Sequence, residues 1–298
     1  MAVFKKKTTL VHHITYMGIM TAINLLVFFV LSTYLSFLLF LLILLLPFIS
    51  AVVSYYCQKR YYIIYALASI GLCLIFNISD TIFYVVPSII TGFVIGLLLE
   101  KKINPFWLIL STTIIETALT FVLIPLINLI GGVDIIETFL ILFKLDGFSY
   151  KVEITYLFIY FLSLVQCTLT HFVLLSDAKK IGIEVNTFVD NYYPYIFGAQ
   201  IAMILSLVFG FFYTPLAFLF FAISIYFAIF LLIDLLLCKK TLIYILLGVL
   251  LLVAFFTFAI TYAKIKQPIG LLMLLTFPFA IILLSFVNNC LIKRRNNN

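Results

Sequence analysis

Apolar runs of about twenty residues follow one another along the whole chain, and the polar breaks between them are of two kinds. Every second break carries a basic knot: Lys5, Lys6 and Lys7, then Lys59 and Arg60, Lys101 and Lys102, Lys179 and Lys180, Lys239 and Lys240, and finally Lys293, Arg294 and Arg295. The breaks between hold only Lys144, Lys151, Lys264 and Lys266 of the eighteen basic residues. A helix needs about 20 apolar residues to cross a hydrocarbon core of ~30 Å. The runs therefore predict ten spans, over 14–32, 36–56, 61–78, 81–99, 106–130, 153–175, 194–212, 216–237, 241–262 and 268–291. Basic residues stay on the cytoplasmic side, so this asymmetry predicts both termini inside.

The expected fold class is an all-α polytopic bundle. Its first portion, 1–175, holds six spans, and 176–298 adds four more in one continuous bundle. Tyr55, Tyr56, Tyr61, Tyr62, Tyr192, Tyr193, Tyr195 and Trp107 sit at span ends, where amphipathic rings favour the headgroup level. The first apolar run continues past Leu31 without a small-residue cleavage site, so a membrane helix is expected there in place of a cleavable signal. The connections at 32–36 and 212–216 are very short. In 131–152, Ile135, Ile136, Phe139, Leu140 and Phe143 share one helical face, which predicts a helix flat on the outer surface, with a re-entrant lid as the alternative. The loop 176–193 reads as a solvated connector. Pro47, Pro87, Pro125 and Pro278 fall within spans and are expected to kink them or open a cavity. No inverted repeat is evident between the halves.

Composition narrows the class further. The chain is 66% hydrophobic and 10% charged, with mean hydropathy +1.31, and a soluble domain cannot cover its surface with so few polar residues. The net charge of +7 belongs to the span flanks, where it meets anionic headgroups, and is not a nucleic-acid footprint. The 33 Phe and 18 Tyr, with abundant Ile, Lys and Asn, point to an AT-rich bacterial genome. Cys57, Cys73, Cys167, Cys238 and Cys290 are scattered and read as packing residues. No Walker A, HExxH, GxSxG or GxGxxG occurs, so neither an enzyme, a cofactor nor a metal site is expected.

Candidate chemistry starts with ionisable groups inside spans, which are costly there. Glu116 lies ten residues into the fifth span, about 15 Å along it at ~1.5 Å per residue. Thr112, Thr113 and Thr120 flank it on one face. A carboxylate among hydroxyls can hold a polar ligand or a cation, or be protonated; the equal alternative is interhelical glue. Tyr156, Tyr160, Ser163, Gln166, Cys167, Thr170 and His171 form a polar stripe on the sixth span. Ser163 and Gln166 fall at the depth of Glu116, which predicts a shared cavity or ordinary helix contacts. Asn77 and Asp80 form either an outer binding corner or only an N-capped turn. Asp234 is expected to pair with Lys239 or Lys240, and His12 and His13 to be solvated. Ser88, Gly92 and Gly96, like Gly18 and Ala22, are spaced by four and mark close helix approach, within the chain or to a partner.

LLLPFISAVVSYYCQKRYYIIYALAS (44–69) and VPSIITGFVIGLLLEKKINPFW (86–107) resemble the YybS-like family of bacterial membrane proteins. That family is similar to the substrate-binding S components of energy-coupling-factor vitamin transporters, and ITYMGIMTAI (14–23) looks like their opening helix. The resemblance covers roughly 10–175. It implies that Gly18 and Ala22 face an energy-coupling membrane subunit, itself served by ATPases, and that a small-molecule solute binds among the first six helices toward the outside. The resulting expectation is a multi-pass protein of the bacterial plasma membrane that binds or transports a small solute, with Glu116, Gln166 and Asn77 lining the site. A ten-helix drug/metabolite secondary transporter and a non-transporting scaffold are the alternatives.

Overall fold

The computed structural model describes residues 6, 9–35, 38, 41–132, 134–142, 150–183, 192–237, 241–264 and 272–296. Among them every regular element is helical and there is no strand. The order is α1 (Leu10–Phe29) with a π-helical turn (Val30–Tyr34), α2 (Leu42–Tyr56), α3 (Lys59–Leu74) and α4 (Ile78–Asp80). A second π-helical turn (Thr81–Val85) leads into α5 (Val86–Glu100), followed by α6 (Pro105–Gly131), α7 (Ile135–Leu142) and α8 (Lys151–Ile181). Then come α9 (Tyr193–Phe212), α10 (Thr214–Leu237), α11 (Thr241–Lys264) and α12 (Thr276–Asn296).

Helix occupies part of every predicted span. Among the described residues six stretches are long and apolar enough to cross a membrane: Leu10–Tyr34, Ile78–Glu100, Pro105–Ile130, Lys151–Asp177, Tyr193–Phe212 and Thr214–Ile233. Leu42–Tyr56, Ile243–Thr257 and Met273–Asn288 are shorter apolar helices. Phe143, Lys144, Lys239, Lys240 and Lys266 lie outside the described residues, as do the side chains of Asp234, Lys179, Cys290 and residues 293–295, so the expected Asp234 ion pair does too.

Local chemistry sets the boundaries. The Thr9 hydroxyl accepts from the His12 amide at 3.4 Å and opens α1. Asn104 accepts from the Phe106 amide at 2.9 Å, and Pro105 begins α6. Gly132, at φ 65°, ends α6 in the left-handed region. The Asp134 carboxylate accepts from the amides of Ile136 (2.9 Å) and Glu137 (3.1 Å), and the α7 helix expected from the apolar face of 131–152 follows. Two of the four prolines sit where the helix is irregular. Pro87 stands at the start of α5, just after a π-helical turn, and Pro278 lies in the first turn of α12 behind the 3₁₀ turn Met273–Leu275. The missing N–H of each falls where the preceding π or 3₁₀ turn already interrupts the regular ladder. Only Pro47 and Pro125 are interior to their helices.

The chain divides into two compact units, and α8 contributes to both. The first takes 1–147 and 159–188, and the second 148–158 and 189–298. Helix directions within the first unit follow from residue pairs. His13 meets Tyr61, Ser69 donates to Thr21, and Ser32 donates to Asp80, so α1 and the chain from α3 to α4 climb in parallel. Gly92 faces Ser50 and Gly96 faces Ser54, so α2 and α5 are parallel too. Glu100 bonds Lys6 at 2.7 Å and Lys59 at 3.4 Å. The approach to α1, the start of α3 and the end of α5 therefore share one end of the unit. This is the up-down alternation that the basic knots predict for these helices.

In the second unit α9 and α10 form an antiparallel hairpin joined through Tyr213 alone. Ser206 donates to the Ala217 carbonyl at 2.9 Å near the corner, and Gly198 lies against Phe227 farther along. Ile196, Ala199, Leu231, Leu235, Leu247 and Ile282 build one apolar core. Phe218, Phe221, Leu272 and Leu275 build another, against Tyr150, Ile154 and Leu157 from the beginning of α8.

Candidate functional site

Glu116 projects from the middle of α6 into the first unit and is 3% exposed. The geometry of the α5–α6 corner places its main partner. Lys101 to Asn104 turn the chain tightly, so residues roughly equidistant from that turn come opposite each other. Thr91 of α5 meets Glu116 in this way, and its hydroxyl donates to Oε2 of the carboxylate. Gln166 of α8 adds a second hydrogen bond to Glu116. Three helices thus converge on one carboxylate.

Around this centre α6 and α8 continue the polar lining. The Cys167 thiol lies against the hydroxyls of Thr112 and Thr113 and close to Glu116. Thr112, Thr113, Cys167, Thr170 and His171 are wholly buried. Thr113 Oγ1 and both ring nitrogens of His171 have no partner in normal hydrogen-bond geometry among the described residues. The cysteine is the weak kind of partner a thiol offers a hydroxyl. No lysine or arginine occurs in α5, in α6 or in residues 159–176 of α8. The carboxylate is therefore held by neutral donors, and those helices offer it no cation. A site of this make-up can take hydrogen-bond donors or a small positive group, and it is unsuited to an anion.

The expected site residues separate into three groups. Glu116 and Gln166 are brought together, with Thr112 and Thr113 one turn away. Thr112, Thr120 and Ser163 turn back on their own helices: Thr112 Oγ1 donates to the Leu108 carbonyl at 2.8 Å, Thr120 Oγ1 to the Glu116 carbonyl at 2.9 Å, and Ser163 Oγ to the Ile159 carbonyl at 3.0 Å. Asn77 and Asp80 form a capped turn. The Asp80 amide donates to Asn77 Oδ1 at 3.0 Å, Asn77 Nδ2 to Asp80 Oδ2 at 2.9 Å, and Ser32 to the same oxygen at 2.6 Å. That carboxylate is committed to joining α1 to the α4 corner.

Sequence reasoning missed Thr91. The signal was available, because Thr91 lies beside Gly92 on the small-residue stripe and at the hairpin distance from Glu116. It also missed a second buried network. Asn24 of α1 donates to the Tyr65 hydroxyl of α3, which lies 3.1 Å from Ser50 Oγ of α2. Tyr62 donates to the Ile89 carbonyl at 2.8 Å, and Ser54 to the Phe93 carbonyl at 2.9 Å, so both tie into α5.

The two small-residue ladders have opposite surroundings. Ser88 is buried, and a Cβ on Gly92 would sit 2.7 Å from the Pro47 carbonyl oxygen and 3.0 Å from the Ala51 nitrogen. A Cβ on Gly96 would sit 2.7 Å from the Ala51 carbonyl oxygen. This ladder serves packing within the chain, and its partner-facing reading is set aside. Gly18 meets nothing within 4 Å, and both it and Ala22 are exposed. His13, expected to be solvated, is buried at 1% exposure against Tyr61, whereas His12 is exposed.

Six apolar spans, with a carboxylate held among neutral donors at the centre of the first unit, fit an integral helical membrane protein. Comparison with protein-family models, curated proteins and solved structures finds no match.

Proposed function

We propose that the protein binds a small polar solute within its first unit, with Glu116 as the acceptor for a hydrogen-bond donor or cationic group of that solute. Thr91 and Gln166 hold the carboxylate in place, and Thr113 adds a hydroxyl. The supporting observation is the convergence of three helices on a buried carboxylate, with no lysine or arginine in α5, in α6 or in residues 159–176 of α8. An ionisable group inside a membrane span is costly and is retained for a reason. In this reading the chain makes ten crossings of a bacterial plasma membrane with both termini in the cytoplasm. It resembles an S component in its N-terminal part, is not an enzyme, and works with an energy-coupling membrane subunit and its ATPases, docked on Gly18 and Ala22.

The experiment is purification of tagged protein in mild detergent, followed by mass spectrometry of co-purifying proteins and small molecules. Wild type is expected to carry a small molecule that Glu116→Gln loses while still eluting as a monodisperse protein. A Glu116→Ala protein that keeps the molecule at wild-type occupancy sinks the assignment. A second reading follows from the hydrogen bonds of Thr91 and Gln166 to Glu116: the triad is glue between α5, α6 and α8. On that reading the substitutions lower thermal stability and change no small-molecule content.

A further inference from the structure

We propose that the end of the first unit marked by Glu100 is a discrete binding site for the headgroup of an anionic phospholipid. Three segments far apart in sequence meet there. Lys6 comes from the approach to α1, Lys59 and Arg60 from the first turn of α3, and Lys101 and Lys102 from the α5–α6 corner. Glu100 gathers two of them, Lys6 at 2.7 Å and Lys59 at 3.4 Å. Among the described residues of these segments it is the one acidic side chain, against five basic ones. The lysine side chains stay 58% and 51% exposed. An ammonium has three donors, so each can serve Glu100 and a phosphate oxygen at once.

Aromatic rings hold the cations at this level. Lys6 Nζ lies 5.6 Å from the Tyr55 ring centroid, and Arg60 Cζ lies 4.5 Å from that of Tyr61. Arg60 Nε donates to Gln58 at 2.9 Å, which leaves the terminal guanidinium nitrogens for an anion. Lys59 and Arg60 also occupy the first helical turn, where the backbone dipole opposes positive charge and an anion relieves the conflict.

The helix below the cations points to a lipid as the source of the phosphate. Ile63, Ile64 and Leu67 follow Arg60 at three, four and seven residues, on one face of α3, and are 59%, 49% and 66% exposed. A headgroup held at Lys59 and Arg60 would lay its acyl chains along that stripe. A free phosphate would use the cations and leave the stripe untouched.

The test is native mass spectrometry of the full-length protein, titrated in detergent with phosphatidylglycerol, phosphatidylcholine or inorganic phosphate. Phosphatidylglycerol is expected to be retained in preference to phosphatidylcholine. Arg60→Gln and Lys101→Gln should each weaken it about fivefold, the effect of removing one basic residue near anionic lipid. Lys180→Gln, which removes an equally exposed charge paired with Asp177 elsewhere, should leave retention unchanged. Equal retention of the two lipids overturns the proposal. So does a loss in Lys180→Gln as large as in Arg60→Gln, because the effect is then diffuse charge. Displacement of phosphatidylglycerol by millimolar inorganic phosphate overturns the lipid assignment as well.

Discussion

The two units bury different chemistry. The first encloses Asn24, Ser50, Ser54, Thr91, Glu116, Gln166 and His171 among its apolar side chains. The second, among its described residues, buries only small polar groups: Thr155, Ser206, Ser224, Ser285 and Asn288. Its cores are aliphatic and aromatic. Lipid tails are as apolar as leucine, so spans gain no hydrophobic drive by leaving them for each other. The first unit answers with close glycine contacts and interhelical hydrogen bonds. The second relies more on apolar bulk: its glycines Gly198 and Gly210 face side chains and not backbone, and interhelical hydrogen bonds run from Ser206 and Thr276 to carbonyls. Among the described residues, only the first unit buries an acid, and the free polar atoms inside the second are the lone hydroxyls of Ser224 and Ser285.

The sharpest way to break this contrast is to remove the close approach. Gly92→Val puts side-chain carbon against the Pro47 carbonyl and the Ala51 nitrogen, both backbone atoms that cannot swing aside. Overpacking of this kind costs about 2–3 kcal/mol. The expected outcome is a large fall in the thermal midpoint of the detergent-solubilised protein, or loss of monodisperse material on a sizing column. In the second unit, Gly198→Ala meets only the ring carbons of Phe227, the nearest at 2.9 Å. A ring at a side-chain tip can shift, so a clearly smaller fall is expected. Equal falls would mean that the second unit depends on its glycine contact as much as the first.

Next comes the carboxylate. Glu116→Ala strands the Thr91 hydroxyl and the Gln166 amide in an apolar interior. Leaving buried polar groups unpaired costs about 1–3 kcal/mol. Glu116→Gln keeps an oxygen acceptor for Thr91 and should lose less than half of that. A midpoint measured for both variants separates the hydrogen-bond role from the charge. If the two lose equally, the charge is what the neighbours recognise.

These cases also show what was legible before any coordinates. The helices were legible because runs of about twenty apolar residues leave no other structure able to satisfy its backbone in lipid. Glu116 was legible because a carboxylate inside such a run is expensive. Of its partners Gln166 was legible from its depth and Thr91 was not, since a threonine hydroxyl in a helix can always bond its own backbone. Thr120 and Ser163 do so, while Thr91 crosses to α6. Asn77 and Asp80 read as either a corner site or a capped turn, and they form the cap, because an Asn three residues before an Asp finds its donors locally. Asn24 was passed over as one amide in a long apolar helix, although its single bond to Tyr65 joins α1 to α3.

That bond supplies a smaller test. Interhelical hydrogen bonds in membranes average about 0.6 kcal/mol and reach about 1.7. Asn24→Ala should cost about 1 kcal/mol, and Tyr65→Phe a similar amount. Because both remove the same bond, the double variant should cost little more than either alone. A thermal double-mutant cycle reads the coupling, and strict additivity would show that the two side chains act separately.

The smallest effect is expected at Gly18, and it bears most directly on how sequence pattern relates to use. Gly18 and Ala22 repeat the spacing of Gly92 and Gly96, yet nothing lies within 4 Å of a Cβ placed on Gly18. The spacing records that two backbones can approach. It does not say whose. In the isolated chain Gly18→Ala should leave the thermal midpoint unchanged or raise it slightly, since alanine favours helix over glycine by up to ~1 kcal/mol. Gly18→Leu should be tolerated nearly as well, since its side chain points into open space. If a membrane subunit docks on this face, the leucine variant would lose that partner in a pull-down while keeping its own stability, a result opposite in kind to the one expected at Gly92. A destabilised Gly18→Leu protein would instead place the face against another part of this chain.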